Sequence, residues 1–138
     1  MGGVTPPRHD VVSAVLVRDG KVFLVHRSPT KEWYPSVWDL PGGHVESGES
    51  AVEALTREMR EELGVIVAPG AEPDARIRRP DMDLRLWVFH EWVGEPANVS
   101  PEEHDAVGWF TADETRSLEL ASEEYRAVFA RLGAGLAK

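Results

Sequence analysis

The sequence predicts a mixed α/β fold, and three features predict it. Residues 11–17 and 21–26 are apolar, β-branched-rich runs on either side of Asp19-Gly20, the pattern of a hairpin. Residues 50–64 carry a complete set of helix signals. A second pair of strand-like runs and a C-terminal amphipathic segment follow. Strands, helix, strands, helix in one chain of 138 residues is the order of an α/β domain, and that length suits one domain over residues 1–138 with its own core.

Taken in order, residues 1–9 hold two glycines and two prolines and are expected to form a loose N-terminal arm. The first hairpin ends at Arg27. Residues 28–37 (SPTKEWYPSV) are a loop punctuated by Pro29 and Pro35, followed by a short extended stretch at 38–40 and the turn Pro41-Gly42-Gly43. Ser50 is the N-cap of the central helix, and Glu53 completes a capping box. Val52, Leu55, Met59 and Leu63 recur at helical spacing as a buried stripe, and Gly64 is the stop. Residues 65–68 read as a short strand and 69–74 as a polar turn. Residues 75–79 and 84–92 read as hairpin arms around Pro80-Asp81. In the second arm Leu84, Leu86 and Val88 alternate with Arg85, Trp87 and Phe89, a second face too aromatic to be simply solvent-exposed. Residues 94–104 form a loop, 106–110 a last strand, and 121–132 an amphipathic helix carrying Tyr125, Val128, Phe129 and Leu132.

The chemistry lies beside the helix stripe. Glu58, Glu61 and Glu62 fall at i, i+3 and i+4 and project from one side of the helix. Three like charges repel, and a divalent cation would remove the repulsion; an all-oxygen cluster suits a hard ion, Mg²⁺ first and Mn²⁺ as its substitute. Glu49 and Arg57 flank the cluster and are expected to pair, fixing the loop against the helix. Gly42 and Gly43 leave their backbone free to approach a phosphate or to lend a carbonyl to a metal. The plain alternative is an ordinary charged helix surface.

Composition narrows the partners. A net charge of −9 argues against a surface that wraps polymeric nucleic acid, and an acidic protein that handles polyphosphates has to recruit metal ions. With no cysteine there is no disulfide, thiolate metal site or thiol nucleophile. The start, MGGVTPPRHD, lacks a signal-peptide core, and no apolar run reaches membrane-spanning length, so a cytoplasmic enzyme without a membrane partner is expected.

Residues 43–65 resemble the Nudix box, G-x5-E-x7-R-E-U-x-E-E-x-G-U with U aliphatic. Gly43, Glu49, Arg57, Glu58, Met59, Glu61, Glu62, Gly64 and Val65 fill every specified position, with Met59 where Leu, Ile or Val is more usual. The resemblance implies a Nudix fold, a mixed β-sheet sandwiched between helices (α/β/α), and hydrolysis of a nucleoside diphosphate linked to another moiety. It implies Glu58, Glu61 and Glu62 as metal ligands, Gly43 as a carbonyl donor, and Glu49 and Arg57 as supports. A homodimer is compatible with it, since dimers are common in the family.

The resemblance also directs attention outside the box. Arg27, at a strand end, matches a position that contacts substrate phosphate in Nudix triphosphate hydrolases. Glu102 and Glu103 lie where family members take a further metal ligand or a general base, and Glu103 is favoured; His104 beside them is expected to be a loop histidine rather than a ligand. Trp38 or Trp87 would stack on a base, and Asp39 would accept hydrogen bonds from a base edge or cap its loop. A (deoxy)nucleoside triphosphate, cleaved to monophosphate and pyrophosphate, is the leading substrate, on the strength of small size and Arg27. ADP-ribose or a nucleoside diphosphate sugar is the alternative, pointed to by Pro80, and a non-catalytic nucleotide-sensing module is the alternative of a different class. An isomerase reading of residues 26–40 fails because that chemistry uses a cysteine there.

Overall fold

The computed structural model describes residues 9–136. Seven strands, β1 (His9–Arg18), β2 (Lys21–Arg27), β3 (Trp38–Asp39), β4 (Gly42–His44), β5 (Ala75–Arg79), β6 (Met82–Phe89) and β7 (His104–Thr111), form one mixed sheet, with helices α1 (Ala51–Leu63), α2 (Ala112–Thr115) and α3 (Tyr125–Leu136). The β1–β2 turn has positive φ at both Asp19 (53°) and Gly20 (74°), the type I′ geometry that matches strand twist. Only the pairs Val17–Val22 and Arg18–Lys21 form before the two strands diverge. β4 then joins β1 at Val11 to Ser13, and β3 joins β2 at Val25 and His26. On their outer edges β1 pairs in parallel with β6, and β2 pairs antiparallel with β7. The gap opened between β1 and β2 is where the loops of a site converge.

Alternation along β1 feeds two cores. Val11, Val15 and Val17 join Leu84, Leu86, Tyr125 and Phe129 on one face. Val12, Ala14 and Leu16 join Leu55, Met59, Leu63, Trp87 and Phe89 on the other. Burial on both faces is why β1 reads as a continuous apolar run. The sheet is thus sandwiched between α1 and α3, the α/β/α arrangement that the resemblance implied.

Several boundaries differ from expectation. His9 belongs to β1 rather than to a loose arm; the rest of that arm, residues 1–8, lies outside the described residues. Residues 65–68 are not a strand: Val65 and Val67 are buried under α1, and Ile66 alone forms a bridge, to Val93. Pro69, which has no N–H, cannot extend it. β6 starts earlier than expected, at Met82, and stops at Phe89; β7 starts at His104. α3 starts at Tyr125 rather than at 121, because Ser122 makes a turn first, its carbonyl accepting from the Tyr125 amide at 3.2 Å. Helix α2 was not anticipated, although Thr111 and Glu114 form a capping box legible as T-x-x-E. No helix among the described residues is long and apolar enough to cross a membrane.

Candidate active site

Helix α1 is set in phase by its ends. Ser50 Oγ accepts from the Glu53 amide at 3.1 Å, and Glu53 Oε1 accepts from the Ser50 amide at 2.9 Å. Gly64 closes the helix with φ 70°. Leu55, Met59 and Leu63 therefore face the sheet, fully buried. That phase sends the three glutamates different ways. Glu58 is largely buried and Glu62 almost wholly so, whereas the Glu61 side chain is 59% exposed and turns to Arg57 at 3.1 Å.

Arg57 ties the surrounding segments together. Its Nε and NH2 donate to Glu49 Oε2 and Oε1 at 2.7 and 3.1 Å, its NH1 to Glu58 Oε1 at 2.8 Å, and its NH2 also to the His44 carbonyl at 3.1 Å. Bidentate pairing of this kind fixes orientation as well as distance. The expected Glu49–Arg57 pair therefore exists, and it holds the loop before α1 against the helix. Gly43 has a steric role: a Cβ there would lie 2.5 Å from Glu58 Cδ, so the bare backbone of β4 makes room for that carboxylate.

β7 supplies the other side. The β2–β7 register shifts between His26 and Arg27, a bulge that aligns His104 with Arg27. The Glu103 carbonyl accepts from the Ser28 amide at 2.9 Å. Glu62, Glu103 and His104 thereby offer ligand atoms that all lie within 4.8 Å of one another. His104, expected in a loop, is a buried strand residue with Nε2 3.1 Å from Glu62 Oε1. Glu62 Oε2 is buried with no hydrogen-bond partner. Burial first, then the Glu62 carboxylate, pushes Glu58 up to about 8; burial, with the charges of Glu103 and Asp39 adding, pushes Glu62 up to about 8. A buried acidic group with a bare oxygen and a strained charge is a site that gains from a cation, and carboxylate oxygens fit a hard divalent one.

These carboxylates line a cavity of about 630 Å³ together with Arg27, Lys31, Trp33, Tyr34 and Asp39. Glu61 and Glu49 are not among its lining residues. Arg27 donates from Nε and NH2 to the carbonyls of Trp33 and Tyr34, between 2.7 and 3.1 Å, and so pins the 28–37 loop. Its NH1 lies 3.7 Å from Asp39 Oδ2. Tyr34 and Ser36 sit at positive φ, 53° and 57°, a conformation that this pinning maintains. Asp39 Oδ1 accepts from the Tyr125 hydroxyl at 2.7 Å and from the Leu40 amide at 2.8 Å. Burial raises its pKa despite those donors.

Two aromatic expectations are corrected. Trp87 is 2% exposed in the core beneath α1, with its indole N–H donating to the Gly70 carbonyl at 2.9 Å, so it has no face to offer a base. Trp38 does not line the cavity; its ring packs edge-on against His26 and Phe110. The aromatic residues that do line it are Trp33, stacked on His9 with centroids 4.3 Å apart, together with Tyr34 and Tyr125. The helical spacing of Tyr125 reports its burial and not what its hydroxyl meets.

Comparison with known proteins bears on all of this. The NUDIX domain family model matches residues 7–132. The chain is 33% identical over 115 residues to the CTP pyrophosphohydrolase of Escherichia coli (strain K12), covering 81% of this chain and 82% of that protein. It is 34% identical over 91 residues to the 8-oxo-dGTP diphosphatase of Haemophilus influenzae, covering 62% and 65%. Among solved structures, a MutT NUDIX hydrolase from Burkholderia pseudomallei superposes with a TM-score of 0.76 at 29% identity, covering 89% of this chain and 96% of that one.

Proposed function

This chain belongs to the Nudix family of hydrolases, and from that premise we propose that it converts a (deoxy)nucleoside triphosphate to the monophosphate and pyrophosphate with Mg²⁺. The observation that carries the reading is one cavity lined both by carboxylates, the nearly inaccessible Glu62 with the part-buried Glu58 and Glu103, and by the cationic residues Arg27 and Lys31. A triphosphate needs both, since it brings negative charge to an acidic protein. Two relatives are named for triphosphate substrates, which supports the same choice.

Glu58, Glu61, Glu62 and the Gly43 carbonyl are the proposed cation ligands, with Glu61 outermost because it must leave Arg57 to take part. Bound there, Mg²⁺ would supply charge neutralisation at the diphosphate oxygens and activation of the attacking water. One of these carboxylates, or Glu103, takes the proton from that water. Arg57 and Glu49 hold the ligands in place. Arg27 keeps the 28–37 loop folded over the cavity and leaves NH1 for a phosphate oxygen. Asp39, with Oδ1 occupied by Tyr125, offers Oδ2 to a base edge, and Trp33 and Tyr34 supply the apolar wall.

The test is product identification with purified protein and Mg²⁺ against nucleoside triphosphates, ADP-ribose and nucleoside diphosphate sugars. Pyrophosphate release from one or more triphosphates is expected. Cleavage of ADP-ribose or diphosphate sugars alone would overturn the substrate, and tight nucleotide binding without turnover would make the chain a sensing module.

A further inference from the structure

We propose that His104 is a positioning residue: it holds Glu62 through Oε1 and so leaves Oε2 as the oxygen presented to the cation. The inference rests on the reading of Glu62 as a ligand, and it concerns what makes that ligand work. His104 Nε2 lies 3.1 Å from Glu62 Oε1, both side chains are nearly inaccessible, and Glu62 Oε2 has no partner. One oxygen is engaged and the other is bare.

The tautomer follows from the surroundings. In a neutral imidazole one ring nitrogen carries the hydrogen and the other accepts. Nδ1 is buried without a partner. A hydrogen on Nδ1 would be a buried donor with nothing to bind, and it would set the bare Nε2 lone pair against an ionised Glu62. A hydrogen on Nε2 points at an acceptor instead. With Glu62 ionised, as a cation requires, Nε2–H donating to Oε1 is the arrangement that leaves fewer charges and dipoles opposed. The backbone that carries the ring is held on both sides. The His104 amide donates to the Ser100 carbonyl at 3.2 Å, and its carbonyl accepts from Asn98 Nδ2 at 2.8 Å. The bulge at His26/Arg27 sets it opposite Arg27. A hydrogen bond behind a ligating carboxylate orients that ligand and is worth about 10–100-fold in metal affinity.

The experiment is calorimetric titration of Mn²⁺ into the full chain as wild type, His104→Met and His104→Gln, with thermal melts of each. Met keeps the bulk and removes the donor; Gln returns an N–H near the Nε2 position. The expected result is binding weakened by about 10–100-fold in the Met variant and largely restored in the Gln variant. Wild-type affinity in a folded Met variant, or equal weakness in both variants, would overturn the proposal. Absence of binding by the wild type would instead overturn the metal reading itself. Should His104→Met fail to fold, ¹⁵N NMR of the wild type with Mg²⁺ decides: an Nε2–H tautomer at His104 is expected, and an Nδ1–H tautomer overturns the proposal.

Discussion

Glu58, Glu62 and Gly43 reach the cavity from a single stretch, residues 43–65, joined only by Glu103 and His104 of the β7 region, whereas the rest of its lining joins residues as distant as Asp39 and Tyr125, 86 positions apart. Residues 43–65 are a strand, a tethered loop and one capped helix, so Glu58 and Glu62 stand on a local frame. The rest of the lining is a pinned loop, a strand end and a helix start that meet only when the sheet has formed. The division fits a protein in which chemistry is held constant by a local motif while recognition is left to segments that can change independently.

Damage to the local frame is expected to remove fold and chemistry at once. Met59 is fully buried beneath the sheet. Met59→Asp would bury an unpaired charge and is expected to destabilise the fold by about 4 kcal/mol or more, enough to unfold it. A folded variant by circular dichroism would show the helix phase to be wrong. A finer change to the same stretch is Gly43→Ala. The added Cβ would fall 2.5 Å from Glu58 Cδ, the end of a flexible side chain, so the fold survives while the carboxylate is displaced. Turnover is expected to drop on the order of 100-fold with an unchanged melting temperature; an unaffected rate would mean that Glu58 is not held where it matters.

Among the dispersed lining residues, Tyr125→Phe removes the donor to Asp39 Oδ1 and leaves the ring in its core position. Loss of one hydrogen bond to a charged group predicts a KM about 10-fold higher with a smaller change in kcat. A fall in kcat at constant KM would place Tyr125 with the chemistry instead and erase the contrast between the two sets of residues.

The pH dependence sharpens the contrast in the metal-free protein. Glu58 and Glu62 are raised from 4.5 to about 8 in the fold, so the folded state holds protons that the unfolded chain releases. Their contribution to stability is fully present below pH about 4.5 and is lost as pH rises to about 8. The melting temperature without divalent cations should therefore fall between pH 6 and 9, and Mg²⁺ should raise it more at pH 9 than at pH 6. A metal-free melting temperature that climbs across that window would contradict the buried-carboxylate account.

The same difference governs what could be read from the sequence. The Ser50–Glu53 box, the stripe of Leu55, Met59 and Leu63 and the Arg57–Glu49 pair lie within one helix and the loop that leads into it, so spacing alone exposes them. Spacing also grouped Glu58, Glu61 and Glu62, but it could not say that Glu61 would turn outward to Arg57, because helix phase against a sheet is a tertiary fact. His104, expected in a loop, stands in β7 because a bulge in the β2–β7 pairing decides its register. Trp87, expected to stack on a base, is a core residue for a similar reason. Alternation put Trp87 on a distinct face of β6, yet only the docking of α1 shows that this face is covered, and only Arg27's grip on the Trp33 and Tyr34 carbonyls brings that loop to the cavity.

The most direct test of the account is pyrophosphate release from nucleoside triphosphates by wild type and Glu62→Gln, each with Mg²⁺ and each shown to be folded. The amide keeps the shape of Glu62 and removes its charge, so loss of a cation ligand should lower kcat on the order of 1000-fold. A folded Glu62→Gln protein that releases pyrophosphate at the wild-type rate would mean that the buried carboxylates are structural and that the chemistry lies elsewhere.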